Sequence, residues 1–91
     1  MLLAIDVGNT NTVFAIHDGR GVRGEWRCRT SHGRTADEYY VWLAQLMKHA
    51  GVMDAVSDVI ISSVVPQVVF NLRVLSDRYF STRQVVVGKP V

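Results

Sequence analysis

Residues 1–16 read MLLAIDVGNTNTVFAI, and the way they are parsed decides the fold. An apolar run from Leu2 to Ile5 meets a carboxylate at Asp6, and a cluster of small polar residues from Gly8 to Thr12 leads into a second apolar run, Thr12 to Ile16. A short continuous apolar run is the pattern of a strand covered on both faces. The residues between the runs tolerate positive φ, so the two strands should pair antiparallel through a tight turn. On pattern alone the turn fits an ordinary hairpin and a phosphate cradle equally well.

The cradle has a definite chemistry. Consecutive backbone N–H groups in a tight turn can converge on one anion. Gly8 would let the backbone approach closely, Asn9 or Asn11 could take the left-handed conformation, and Thr10 and Thr12 would add hydroxyl donors. Asp6 repels a phosphate oxygen, so its role would be to hold Mg²⁺ directly or through water. Neither G-x-x-x-x-G-K-[ST] nor G-x-G-x-x-G entering a helix is present.

At 91 residues the chain is one domain at most, and 48% hydrophobic residues suffice for one core. A formal charge of +2 is too small to argue for nucleic acid. Arg20, Arg23, Arg27, Arg29 and Arg34 form a local basic cluster, which reads first as a solvated edge strand and second as a surface for an anionic partner. No apolar stretch reaches the roughly 18 residues of a membrane span, and the N-terminus lacks signal-peptide features, so a cytoplasmic location is expected. The single Cys28 excludes an internal disulfide. The closing QVVVGKPV, a β-like run and then a turn, suggests a piece of a longer protein.

Downstream, Val22 to Thr30 alternates strictly: Val22, Gly24, Trp26, Cys28 and Thr30 point one way, Arg23, Glu25, Arg27 and Arg29 the other. Thr35-Ala36-Asp37-Glu38 reads as a capping box, opening a helix to about Ala50 with Gly51 as its stop. Tyr39, Leu43, Leu46, Met47 and Ala50 make one apolar stripe. Tyr40, Val41 and Trp42 extend the apolar surface around the helix, so it should pack against something besides its own sheet, such as later sequence or a second subunit. Val59 to Ile61 is a strand. Pro66 begins a helix to about Phe80, with Val68, Leu72, Leu75 and Tyr79 on one face. Gln84 to Val87 is the last strand. The order β-β-β-α-β-α-β predicts an α/β fold, a mixed five-stranded sheet of the ribonuclease-H-like type found in actin-like ATPase half-domains.

Other candidates have plainer readings. His17, His32 and His49 lack metal-ligand spacing, and Cys28 points inward with Trp26. Ser62-Ser63, at a strand's C-terminal end, would either line a ligand site or cap the helix at Pro66.

Three blocks in order resemble the type III pantothenate kinases: MLLAIDVGNTNTVFAI, then Arg29-Thr30-Ser31 with Arg34-Thr35-Ala36-Asp37-Glu38-Tyr39, then Ile61-Ser62-Ser63-Val64-Val65-Pro66. The resemblance implies ATP-dependent phosphorylation of pantothenate, the first step of coenzyme A synthesis, by a homodimer that uses Mg²⁺ and a monovalent cation such as K⁺ or NH₄⁺. Matched by position, Asp6, Val7, Gly8, Asn9, Thr10, Asn11, Thr12 and Val13 would form the first ATP phosphate loop, with Asp6 serving the metal. The family's G-x-D-R segment, which carries its general base, has no counterpart before Val91, so no catalytic residue is expected in this chain and the chain alone should be inert. Two other readings share the fold: a non-catalytic ATP-binding transcription accessory protein, and an actin-like filament ATPase. The Asn9-Thr10-Asn11 wording and the block ending at Pro66 favour the kinase.

Overall fold

Alternation along each strand decides which side of the sheet is buried, and the helices follow from it. A computed structural model describes residues 1–82 and 84–88. In chain order it contains β1 (Leu2–Val7), β2 (Asn11–His17), β3 (Val22–Arg29), α1 (Ala36–His49), β4 (Asp58–Ser63), α2 (Pro66–Leu75), a π-helical turn (Ser76–Phe80) and β5 (Gln84–Gly88). The turn expected at Lys89–Pro90 lies outside the described residues. The sheet order is β3-β2-β1-β4-β5. β1 and β2 pair antiparallel, as do β2 and β3, while β4 runs parallel to both β1 and β5. The mixed five-stranded sheet and its two helical crossovers are as expected.

One face carries the core. Leu3, Ile5 and Val7 of β1, Phe14 and Ile16 of β2 and Ile61 of β4 are fully buried against Tyr39, Leu43 and Met47 of α1 and Val68, Leu72 and Leu75 of α2. Each such side chain contributes about 1.5–3 kcal/mol of hydrophobic stabilisation. Phe14 also meets Tyr39 at 5.8 Å and Trp42 edge-on at 5.5 Å between ring centroids.

Because both helices occupy this face, β1 is not covered on both sides by the described residues, as its apolar run suggested it would be. Leu2 is 36% exposed and Asp6 is exposed, and the same open face displays Arg23, Glu25, Arg27 and Arg29. Among the described residues no helix is long and apolar enough to cross a membrane.

The capping box at the start of α1 is present. The Glu38 N–H donates to Thr35 Oγ1 at 3.2 Å, and the Thr35 N–H donates to Glu38 Oε1 at 3.0 Å, a cap worth about 1 kcal/mol. Gly51, at φ +74°, ends the helix in the left-handed region, which glycine enters at little cost. The buried stripe is narrower than its spacing implied, for Leu46 is half-buried and Ala50 exposed.

The second apolar side of α1 is met within the chain. α2 does not continue regularly to Phe80. It widens into the π-helical turn, and Ser81 then leaves it at φ 48°. On this turn the Tyr79 ring stacks on Tyr40 at 3.9 Å, and Phe80 meets Tyr40 edge-on. With Tyr40 covered here and Trp42 against Phe14, Val41 is left 63% exposed.

Asp37 ties the same two elements together. Its Oδ1 accepts from the Tyr79 hydroxyl and, at 2.8 Å, from Arg78 Nη1. These bonds, Tyr79 first and Arg78 second, hold the Asp37 carboxyl below its ordinary value of 3.8. A lowered carboxylate pKa stabilises the fold above the unfolded value, and that stabilisation is lost as pH falls through the folded one. Asp37→Asn is therefore expected to lower the thermal midpoint at neutral pH and to have little effect near about pH 2, where the carboxyl is protonated in both states. Melting curves at the two pH values check this.

Candidate functional site

A regular two-residue hairpin closing Gly8 to Asn11 would form a reciprocal pair of backbone bonds. One forms: the Gly8 N–H donates to the Asn11 carbonyl at 2.9 Å. The other does not; the Gly8 carbonyl instead accepts from Thr30 Oγ1 at 2.8 Å. The Thr30 N–H also donates to the Thr10 carbonyl at 2.8 Å. That bond makes Asn11 and Arg29 a non-hydrogen-bonded pair of the β2–β3 ladder, so Asn11 N–H has no acceptor on β3 either.

Peptide geometry determines where the remaining donors face. In a trans peptide the N–H points opposite to the preceding carbonyl, and the described residues contain no cis bond. With the Gly8 and Thr10 carbonyls drawn toward the end of β3, the Asn9 and Asn11 N–H groups turn away from it. Asn9, Thr10 and Asn11 are all exposed. Among the described residues none of their three N–H groups has an internal acceptor.

The other residues expected in the loop divide by strand face. Asp6 lies exposed on the open face of β1, in register with half-buried Val13 on β2 and Ser62 on β4. Val7 is buried in the core and can offer a ligand only backbone. Thr12 is fully buried, with its hydroxyl 3.0 Å from Thr30 Oγ1, so it supports the turn from beneath and presents no hydroxyl to a ligand. Neither Asn9 nor Asn11 has positive φ, since the opened turn does not require it. Gly8 serves by lacking a side chain: a Cβ there would lie 3.1 Å from the Asn11 carbonyl oxygen.

The two serines separate in the same way. Ser63 is buried, and its hydroxyl accepts from the Val65 N–H at 2.8 Å and donates to the Val65 carbonyl at 2.9 Å, a local turn leading into α2. Ser62 stands beside Asp6 on the open face. The Val64 N–H, bonded to the Val7 carbonyl at 3.1 Å, ties the end of β4 to the start of the turn.

Cys28 plays no part in this site. It is half-buried and accepts from Arg34 Nη1 at 3.2 Å, and burial pushes its thiol pKa up, which suits an unreactive packing group. Among the described residues no group of three or more His, Cys, Asp or Glu could hold a metal.

Thr30 was missed by sequence reasoning as part of the site. No simple count would have found it: the second hairpin pairs His17 with Val22, which extrapolates to Arg29 opposite Thr10, and a register shift between Ile16 and His17 moves Thr30 there instead.

The donor set fits a nucleotide phosphate. The N–H groups of exposed Asn9, Thr10 and Asn11, which have no internal acceptor among the described residues, and the Thr10 hydroxyl can serve anionic oxygens, and the exposed Asp6 carboxylate on the strand that enters the turn is a hard oxygen ligand suited to Mg²⁺.

The strand order and paired crossovers define an actin-like ATPase half-domain. The sequence profile of the type III pantothenate kinase family matches residues 2–91, and the chain belongs to that family. It is 64% identical over 90 residues to the type III pantothenate kinase of Ruegeria sp. (strain TM1040) and to that of Dinoroseobacter shibae. It is 58% identical to the type III pantothenate kinase of Cereibacter sphaeroides. Each match covers 99% of this chain and 35% of the relative, so the chain spans about a third of the curated relatives' length.

The open turn has a direct signature. The Asn9, Thr10 and Asn11 amides are expected to exchange with solvent rapidly, while the Gly8 amide is protected. Amide exchange resolved by NMR checks this, and a protected Asn11 amide would mean a closed hairpin.

Proposed function

We propose that this chain supplies the first ATP phosphate loop of a kinase that moves the γ-phosphoryl of ATP to the primary hydroxyl of pantothenate, giving 4'-phosphopantothenate for coenzyme A synthesis. The observation that carries the reading is the opened turn: Asn9, Thr10 and Asn11 offer unclaimed N–H donors next to the Asp6 carboxylate.

In this reading the backbone of Gly8 to Thr12, together with the Thr10 hydroxyl, orients the phosphates. Val7 and Val13 flank the loop, Val7 as a buried anchor and Val13 beside Asp6. Asp6 holds Mg²⁺, which when bound neutralises charge on the phosphoryl oxygens. Ser62, adjacent on β4, widens the polar rim of the site. A monovalent cation, K⁺ or NH₄⁺, and assembly as a cytoplasmic homodimer complete the proposal and rest on the family likeness.

Asp6→Asn in the full-length protein tests the metal role. It removes the charge and keeps the shape, so the fold should persist while kcat/KM for ATP drops at least about a hundredfold. Steady-state kinetics beside circular dichroism measure both, and turnover near wild type would remove Asp6 from the metal. Residues 1–91 alone contain no assigned group to deprotonate the pantothenate hydroxyl. Purified as such, they should show no pantothenate-dependent ADP formation in a coupled assay.

A further inference from the structure

Thr30 contacts the turn through both of its donors, at positions that decide whether the turn is open. Its single hydroxyl proton goes to the Gly8 carbonyl at 2.8 Å. The 3.0 Å contact between the Thr12 and Thr30 hydroxyls must therefore be donated by Thr12. The result is a directed chain, Thr12 O–H to Thr30 O–H to Gly8 C=O, anchored in the core by fully buried Thr12. The Thr30 N–H holds the Thr10 carbonyl, the second carbonyl of the turn, at 2.8 Å.

The Gly8 carbonyl is the only acceptor that would close the hairpin onto the Asn11 N–H. We propose that Thr30 is a positioning residue of the nucleotide site: by drawing that carbonyl toward the end of β3, away from the Asn11 N–H, it keeps the turn open and leaves the Asn11 N–H to the phosphates. The proposal rests on the phosphate-loop reading given above. Thr30 itself touches no ligand. It acts by denying the turn its own most favourable internal bond, so the donors are set before nucleotide arrives and no ordering cost falls on binding.

The chemistry of the side chain makes this testable. Thr30→Val keeps the branched shape and the backbone N–H but loses the hydroxyl, freeing the Gly8 carbonyl for Asn11. Thr30→Ser keeps the hydroxyl and loses one methyl. In the full-length protein, Thr30→Val is expected to protect the Asn11 amide from exchange and to raise the KM for ATP about tenfold, the effect of one lost hydrogen bond, while the KM for pantothenate stays unchanged. Thr30→Ser should retain the unprotected amide and the wild-type KM for ATP, even if its melting temperature falls.

An Asn11 amide that stays unprotected in Thr30→Val would overturn the proposal, as would a protected amide with an unchanged KM for ATP. A loss in Thr30→Ser equal to that in Thr30→Val would also overturn it, because the hydroxyl would then not be the working group. Failure of the underlying reading looks different: wild-type protein would show no ATP-dependent phosphorylation of pantothenate, or Asp6→Asn would turn over normally.

Discussion

Everything in this fold is hung on β1, whose two hydrogen-bonding edges are both in use. β2 pairs with it antiparallel on one side and β4 parallel on the other. A strand fixed on both edges cannot slip by one residue without turning all its side chains over. Leu3, Ile5 and Val7 are thereby committed to the core, and Asp6 to the open face. The carboxylate thus stands at the C-terminal end of a central strand, where open α/β sheets bind ligands. The apolar residues that drive folding and the acid proposed for the metal are consecutive, and period two alone separates their tasks.

Competition for one carbonyl oxygen settles the character of the turn. The Gly8 C=O can be turned toward the Asn11 backbone or toward the Thr30 side chain, and either bond is worth only about 1 kcal/mol net. What tips the balance is the setting of the Thr30 hydroxyl, held from below by Thr12 in the interior. The released Asn11 N–H loses little, since it lies in solvent and can bond to water. The opening of the turn thus depends on a residue beyond both of the strands it joins.

Local rules made much of this legible in the sequence. Thr35 and Glu38 announced the start of α1 and Gly51 its end, because capping depends on a few neighbouring residues. Alternation from Gly24 to Thr30 gave β3 its charged face, although a register shift before Gly24 breaks the pattern and leaves Val22, expected inward, exposed, and the order of elements gave the sheet. Less legible were features set by pairing across strands. Leu2 to Ile5 suggested burial on both sides, but helix placement, not composition, determines which face is covered. Thr12 looked like a loop hydroxyl until the register with β3 placed it beneath Thr30. The spacing of Val68, Leu72, Leu75 and Tyr79 suits a regular helix and does not reveal the wider turn that brings Tyr79 onto Tyr40. Ser62 and Ser63 are chemically alike in the sequence, and only the pleat of β4 sends one to Asp6 and the other to the Val65 backbone.

The unequal sequence distances of β1's two partners have a consequence for how the chain assembles. β2 and β3 follow β1 through short turns, so the meander can be complete once Arg29 and Thr30 have been synthesised. The other edge of β1 waits for Asp58–Ser63 and for the intervening crossover helix to pack. Pairings that close long loops come late, because the chain entropy is lost before the contacts form. Gly8, Thr10, Thr12 and Thr30 all belong to the early meander. The turn can therefore acquire its opened geometry from local contacts during synthesis, while the strand that leads into it still has one bare edge.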